Sequence, residues 1–71
     1  MQPNERIIKR IKGLYPVGCR VVPDKMTDKQ APPVGTRGTV MFVDAIGTVH
    51  VNWDNGSSLG VVFGEDQCHR I

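Results

Sequence analysis

The sequence predicts a mainly β fold, a small five-stranded SH3-like barrel with one N-terminal amphipathic α-helix. Three observations carry that expectation. Apolar residues recur at helical spacing up to Gly13 and then at alternate positions from Val17 onwards. Asn55-Gly56 is a strong hairpin signal, because both central residues of a tight turn must tolerate positive φ. At 71 residues the chain has room for one core, and closing its sheet removes edges that so small a protein has little else to cover. Residues 1–14 read as the helix and 15–71 as the barrel, together a single domain. An OB-fold is the rival, but it usually has longer strands and a helix where this chain offers only Asn55-Gly56.

Residues 3 to 13 open the chain as a helix. Pro3 and Asn4 suit its start, Glu5 suits the positive end of its dipole, and Gly13 suits its stop. Ile7, Ile8, Ile11, Leu14 and Tyr15 share one arc, with Arg6, Lys9 and Arg10 behind them. So short a helix is marginal alone, so the apolar arc must dock. Cys19 to Val22 reads as the first strand. Pro23, Pro32, Pro33 and Gly35 make Asp24 to Thr36 a long loop, since proline cannot donate to a sheet ladder. Thr39–Val43 and Thr48–Trp53 are the clearest strands, joined across Asp44 to Gly47. Leu59–Phe63 is the fourth strand and Gln67–Ile71 the fifth, with Gly64-Glu65-Asp66 as the turn between them.

Turn lengths then set the registers. A two-residue Asn55-Gly56 turn places Trp53 opposite Ser58, Val51 opposite Gly60 and Val49 opposite Val62. A four-residue loop from Asp44 places Phe42 opposite Val49, Val40 opposite Val51 and Gly38 opposite Trp53. The inner face is then Val40, Phe42, Val49, Val51, Trp53 and Val62, with Gly38 and Gly60 leaving space around the indole. The outer face carries Met41, Val43, Leu59 and Val61 around His50 and Asn52, more apolar than a sheet facing water should be. The helix is one cover for it; a partner protein or a second copy of the chain is the other.

Composition excludes more than it identifies. No apolar run approaches the roughly 20 residues of a membrane span, and no signal-peptide pattern opens the chain, so a cytoplasmic protein with free thiols is expected. A Cys19–Cys68 disulfide is the alternative if the first and last strands are neighbours. Cys19, His50, Cys68 and His69 lack the paired spacing of a metal site. Glycines fall at turns rather than in a phosphate loop, and Asp54, Ser57 and Ser58 read as turn residues. No catalytic residue, metal or cofactor is expected, and the chain reads as no enzyme. The formal charge is only +2, yet Arg6, Lys9, Arg10 and Lys12 against Glu5 concentrate it on the helix. Such a face could meet phosphate, although the chain has only four aromatic residues and two of them, Trp53 and Phe42, are assigned to the core.

Tyr15-Pro16-Val17-Gly18-Cys19-Arg20-Val21, then Pro32-Pro33-Val34-Gly35-Thr36-Arg37-Gly38-Thr39-Val40, and Val51-Asn52-Trp53-Asp54-Asn55-Gly56-Ser57-Ser58-Leu59 resemble a domain of unknown function. Its members are short proteins of Gram-positive bacteria, their phages and conjugative elements. The match covers Tyr15 to Phe63, and it carries over no site or activity. The pattern also looks like several SH3-like barrels, including KOW-type and ubiquitin-ligase-associated modules, through turn glycines and core positions. Pro23 departs from it where an apolar strand residue is usual, which leaves the end of the first strand open.

Two functions follow as expectations. The first is a non-enzymatic binding module, encoded by a mobile element, whose partner is a host protein or nucleoprotein complex; inhibition of a defence system, as by an anti-CRISPR, is a concrete version. The second is direct nucleic-acid binding through Arg6, Lys9, Arg10 and Lys12, assisted by Lys29 or Arg37. Met41, His50, Leu59 and Val61 complete the candidate partner-binding residues. A homo-oligomer is compatible with both, and neither needs a membrane.

Overall fold

The computed structural model describes residues 4–71. Helix α1 spans Glu5–Leu14, and the Asn4 side chain caps it by accepting from the Ile7 amide at 2.9 Å. Pro3, read as part of the helix start, lies outside the described residues. Four strands follow: β1 Arg20–Lys25, β2 Gly38–Val43, β3 Val49–Trp53 and β4 Gln67–Arg70. They form one antiparallel sheet in the order β3-β2-β1-β4. The predicted fourth strand is instead an irregular segment, joined to β3 by a single bridge between Val49 and Val61. The predicted fifth strand is present as β4, so the described residues hold four strands rather than five, without barrel closure, and the sheet is open.

The sheet nevertheless curls. Val61 lies beyond the β3 edge, while β4 begins six residues later on the opposite edge. Four strand spacings measure about 19 Å on a flat sheet, and six residues reach about 20 Å only when fully extended. These are not extended, because the Glu65 and Asp66 amides fold back on the Val62 carbonyl at 3.1 and 2.9 Å. Only a curved sheet brings its two edges that close.

Pro23 sits inside β1, opposite Cys68 of β4, so the strand runs three residues past its predicted end at Val22. The ladder explains why. Ile71 donates to the Arg20 carbonyl and Val40 to the Cys19 carbonyl, so even positions of β1 address β4 and odd ones address β2. Pro23 is odd, and β2 pairs with β1 only as far as Val21. Its missing N–H faces a side with no strand to receive it.

Both hairpins use three-residue loops, and this corrects the predicted registers. Gly56 donates to the Trp53 carbonyl and Trp53 to the Ser57 carbonyl, with Gly56 at φ 92°. Gly47, at φ 84°, repeats the arrangement between Asp44 and Thr48. Each is a turn followed by a left-handed glycine bulge. Trp53 thus meets Ser57 rather than Ser58, and Val49 meets Val61 rather than Val62. A one-residue slip exchanges faces: Val61 is 6% exposed and Val62 is 37%. On β2, Gly38 faces Trp53 and Val40 faces Val51 as predicted, but a bulge between Val40 and Phe42 places Phe42 opposite His50 and Val43 opposite Val49. Phe42 leaves the core accordingly.

The core is Ile11, Val21, Val40, Val49, Val51, Trp53 and Val61. Trp53 is 2% exposed and its indole nitrogen donates to the Leu59 carbonyl at 2.8 Å, so the buried donor is satisfied. A Cβ on Gly38 would lie 2.6 Å from the Trp53 ring, whereas Gly60 leaves room for Thr48 instead of the indole. Ile11 joins this inner cluster, with Ile7 and Tyr15 packed beside it. The helix therefore covers the core side of the sheet, not the Met41 face.

Candidate functional site

The outer side of the β2–β3 hairpin carries the most unusual group of side chains. Consecutive strand residues normally alternate between faces, yet Met41 and Phe42 are 51% and 52% exposed, because the bulge between Val40 and Phe42 turns both outward. The Phe42 and His50 rings lie stacked, 4.3 Å apart and 12° from parallel. His50 Nε2 meets Asp44 Oδ2 at 2.8 Å, and the other Asp44 oxygen accepts from the Ile46 and Thr48 amides at 3.1 and 2.9 Å. The carboxylate of the hairpin tip therefore fixes the imidazole, and the imidazole braces the phenyl ring from one side. The bond to His50 holds the Asp44 carboxyl below its ordinary range, with the two amides adding to the effect.

The long loop returns over the same region. Thr27 and Asp28 line a recess with His50 and Leu59, and Gln30 lines an adjoining one with the same two residues. Lys29, between Asp28 and Gln30, is exposed. Asp66 ties this loop down by accepting from the Thr27 amide at 2.9 Å and the Val62 amide at 3.0 Å. It is a structural clasp, where the sequence suggested only a turn between strands.

Arg6, Lys9, Arg10 and Lys12 are all exposed, and none joins an ion pair among the described residues. Lys9 and Lys12 line a recess with Glu5, Ile8 and Ala45, which sets the helix flank against the β2–β3 tip. Arg37 is exposed elsewhere, beside the Asp54 turn, where its carbonyl accepts the Asp54 amide. The structure thus groups His50 and Leu59 with Met41 close by on β2, and leaves Arg37 apart. Val61, proposed for the outer face, is in the core; the Asn55-Gly56 loop length explains the correction.

Two ion pairs went unread in the sequence because their partners are distant in the chain. Arg20 grips Asp54 with two nitrogens, at 2.9 and 2.5 Å, and also donates to the Thr39 hydroxyl at 2.9 Å. His69 Nδ1 meets Asp24 Oδ1 at 2.8 Å. On the core side, a cavity of about 370 Å³ lies among Ile11, Tyr15, Val49, Val61, Phe63 and Cys68. The Tyr15 hydroxyl there donates to the Cys68 carbonyl at 3.0 Å. Both cysteines are free, and burial pushes the Cys68 thiol up to about 11. His50 and His69 are held by different aspartates, and no three of the His, Cys, Asp and Glu side chains among the described residues gather as a metal site would need. No described helix is long and apolar enough to cross a membrane.

A family model described as Domain of unknown function (DUF4314) matches residues 4–71. No curated protein and no solved structure matches the chain.

Proposed function

The chain belongs to the family Domain of unknown function (DUF4314), and from that premise we propose that it is a non-enzymatic binding module. Its partner is a host protein or a nucleoprotein complex. One observation carries the reading: the β2 bulge holds Met41 and Phe42 outward together, beside half-buried Leu59, on a face that the helix does not cover. Displaying adjacent apolar side chains costs solvation free energy that a docked surface recovers. The resemblance to short proteins of phages and conjugative elements supports a cytoplasmic, mobile-element setting, with defence inhibition in the manner of an anti-CRISPR as one version. In this reading the curled sheet and the Val61 segment are an SH3-like barrel left open at one seam.

The test is affinity capture from nuclease-treated bacterial lysate with the tagged chain and a Met41→Ser, Leu59→Ser variant. A partner retained by the natural sequence and lost by the equally folded variant supports the module. Capture that ignores the two substitutions, or no capture at all, overturns the reading of this face as a protein-docking surface.

A further inference from the structure

We propose that the Phe42–His50 stack is a base-stacking platform for single-stranded nucleic acid, with Lys9, Lys12 and Lys29 placed to meet the phosphates. The inference rests on the reading of the chain as a binding module and names the chemistry of the ligand. Base-stacking needs a ring that is rigid and has one open face. His50 covers one face of the phenyl ring and Asp44 locks the imidazole, while Phe42 remains about half exposed. A base on the open face continues a stack already two rings deep, and loses little side-chain entropy because the platform is held in advance.

The cations come from two segments that border the hairpin. Lys9 and Lys12, on the helix that packs against the core side of the sheet, share a recess with Ala45 at the hairpin tip, and Ala45 itself is three residues from Phe42, a chain reach of at most about 10 Å. Lys29 projects from the loop whose neighbours Asp28 and Gln30 line the recesses next to His50. The acidic groups facing the site are Asp44, bonded to His50 and two amides, Asp28, bonded to the Gln30 amide at 2.7 Å, and Asp66, bonded to the Thr27 and Val62 amides. Glu65 in the recess beside His50 and Glu5 in the lysine recess are the opposing charges that the lysines must outweigh. The outward turn of Phe42 also removes the reason for doubting base recognition, since the sequence pattern had placed that ring in the core.

Fluorescence anisotropy of a labelled short oligothymidine, titrated with the full chain across a salt series, tests the proposal. Binding at low salt is expected. Phe42→Ala and Phe42→Leu should each weaken it about 5- to 150-fold, the equivalent of one stacked base, with the salt slope unchanged. Lys9→Gln with Lys12→Gln should lower the slope of log affinity against log salt by about 1.4, or 0.7 per lost phosphate contact. Equal melting curves establish that the variants are folded. No binding at low salt overturns the platform, as does full affinity in Phe42→Leu, which keeps apolar bulk but has no π face. Protein capture that survives nuclease treatment while oligothymidine fails to bind defeats this inference alone. Failure of both defeats the module as well.

Discussion

At the scale of single residues, the fold turns on where a side chain has no space and where a charge has one partner. Gly38 faces Trp53 across the β2–β3 ladder, and an added Cβ would collide with both the indole and a Val51 methyl. Gly38→Ala should therefore destabilise the protein by about 1–3 kcal/mol, the usual cost of overpacking. Gly13→Ala is the control: nothing lies within 4 Å of the new methyl, and the helix should gain about 0.5–1 kcal/mol. Thermal melting of the pair, moving in opposite directions, checks this. Asp44 makes a prediction about acid. Its carboxyl titrates lower in the folded chain than in the unfolded one, because the folded state supplies His50 and two amides. The stability it adds is present above the ordinary carboxylate range and is lost as pH falls through the depressed folded value. Asp44→Asn should thus be less stable near neutrality and should show a shallower loss of stability below about pH 4; an unchanged acid profile would contradict the bond to His50.

At the scale of elements, the helix is where prediction and structure agree on existence and differ on destination. Its 3.6-residue pattern and Asn4 cap were legible in the chain because they are local properties, whereas the stop expected at Gly13 came after Leu14, with Tyr15 as the C-cap. Its docking side was not, since that depended on which sheet face was apolar, and a single loop length decided that. Asn55-Gly56 advertises a two-residue turn, but Asp54 joins the loop, the register slips by one, and Val61 and Val62 change places. Met41 is the same lesson on β2, where an unannounced bulge turned Phe42 from core residue to surface ring. Alternation reads faces correctly only while the residue count holds, as it did at Gly38 and Val40. The candidate site was legible only in part: His50, Leu59, Met41 and the helix cations were found, while Asp44 and the exposed Phe42 required the bulge and the loop geometry. Because Ile11 occupies the inner core, removing residues 1–13 should unfold or aggregate the sheet, and Ile11→Ala alone should cost about 2–4 kcal/mol. A truncated chain that melts like the full one would place the helix outside the cooperative unit.

At the scale of the whole molecule, an open sheet has to be held in its curve by something other than a closing ladder. Asp66 is that restraint. It stands at the end of the short link between the two sheet edges, and its carboxylate reaches the long β1–β2 loop through Thr27 and the Val49-paired segment through Val62. One side chain thus couples three regions that share no strand pairing. Asp66→Ala leaves the apolar core in place and removes these bonds together, so the loop should open locally before the sheet unfolds. Lys29 lies in that loop, exposed and cleavable by trypsin. Losing a net stabilisation of about 1.4 kcal/mol raises the open population about tenfold, and cleavage after Lys29 under native conditions should accelerate by about that factor. Glu65→Ala, which removes the adjacent exposed carboxylate, should leave the rate alone. Equal cleavage of the two variants would mean that the curve is kept by the core alone. A selective rise in Asp66→Ala would instead show that the same clasp shapes the recess beside His50, and therefore the surface on which binding is proposed.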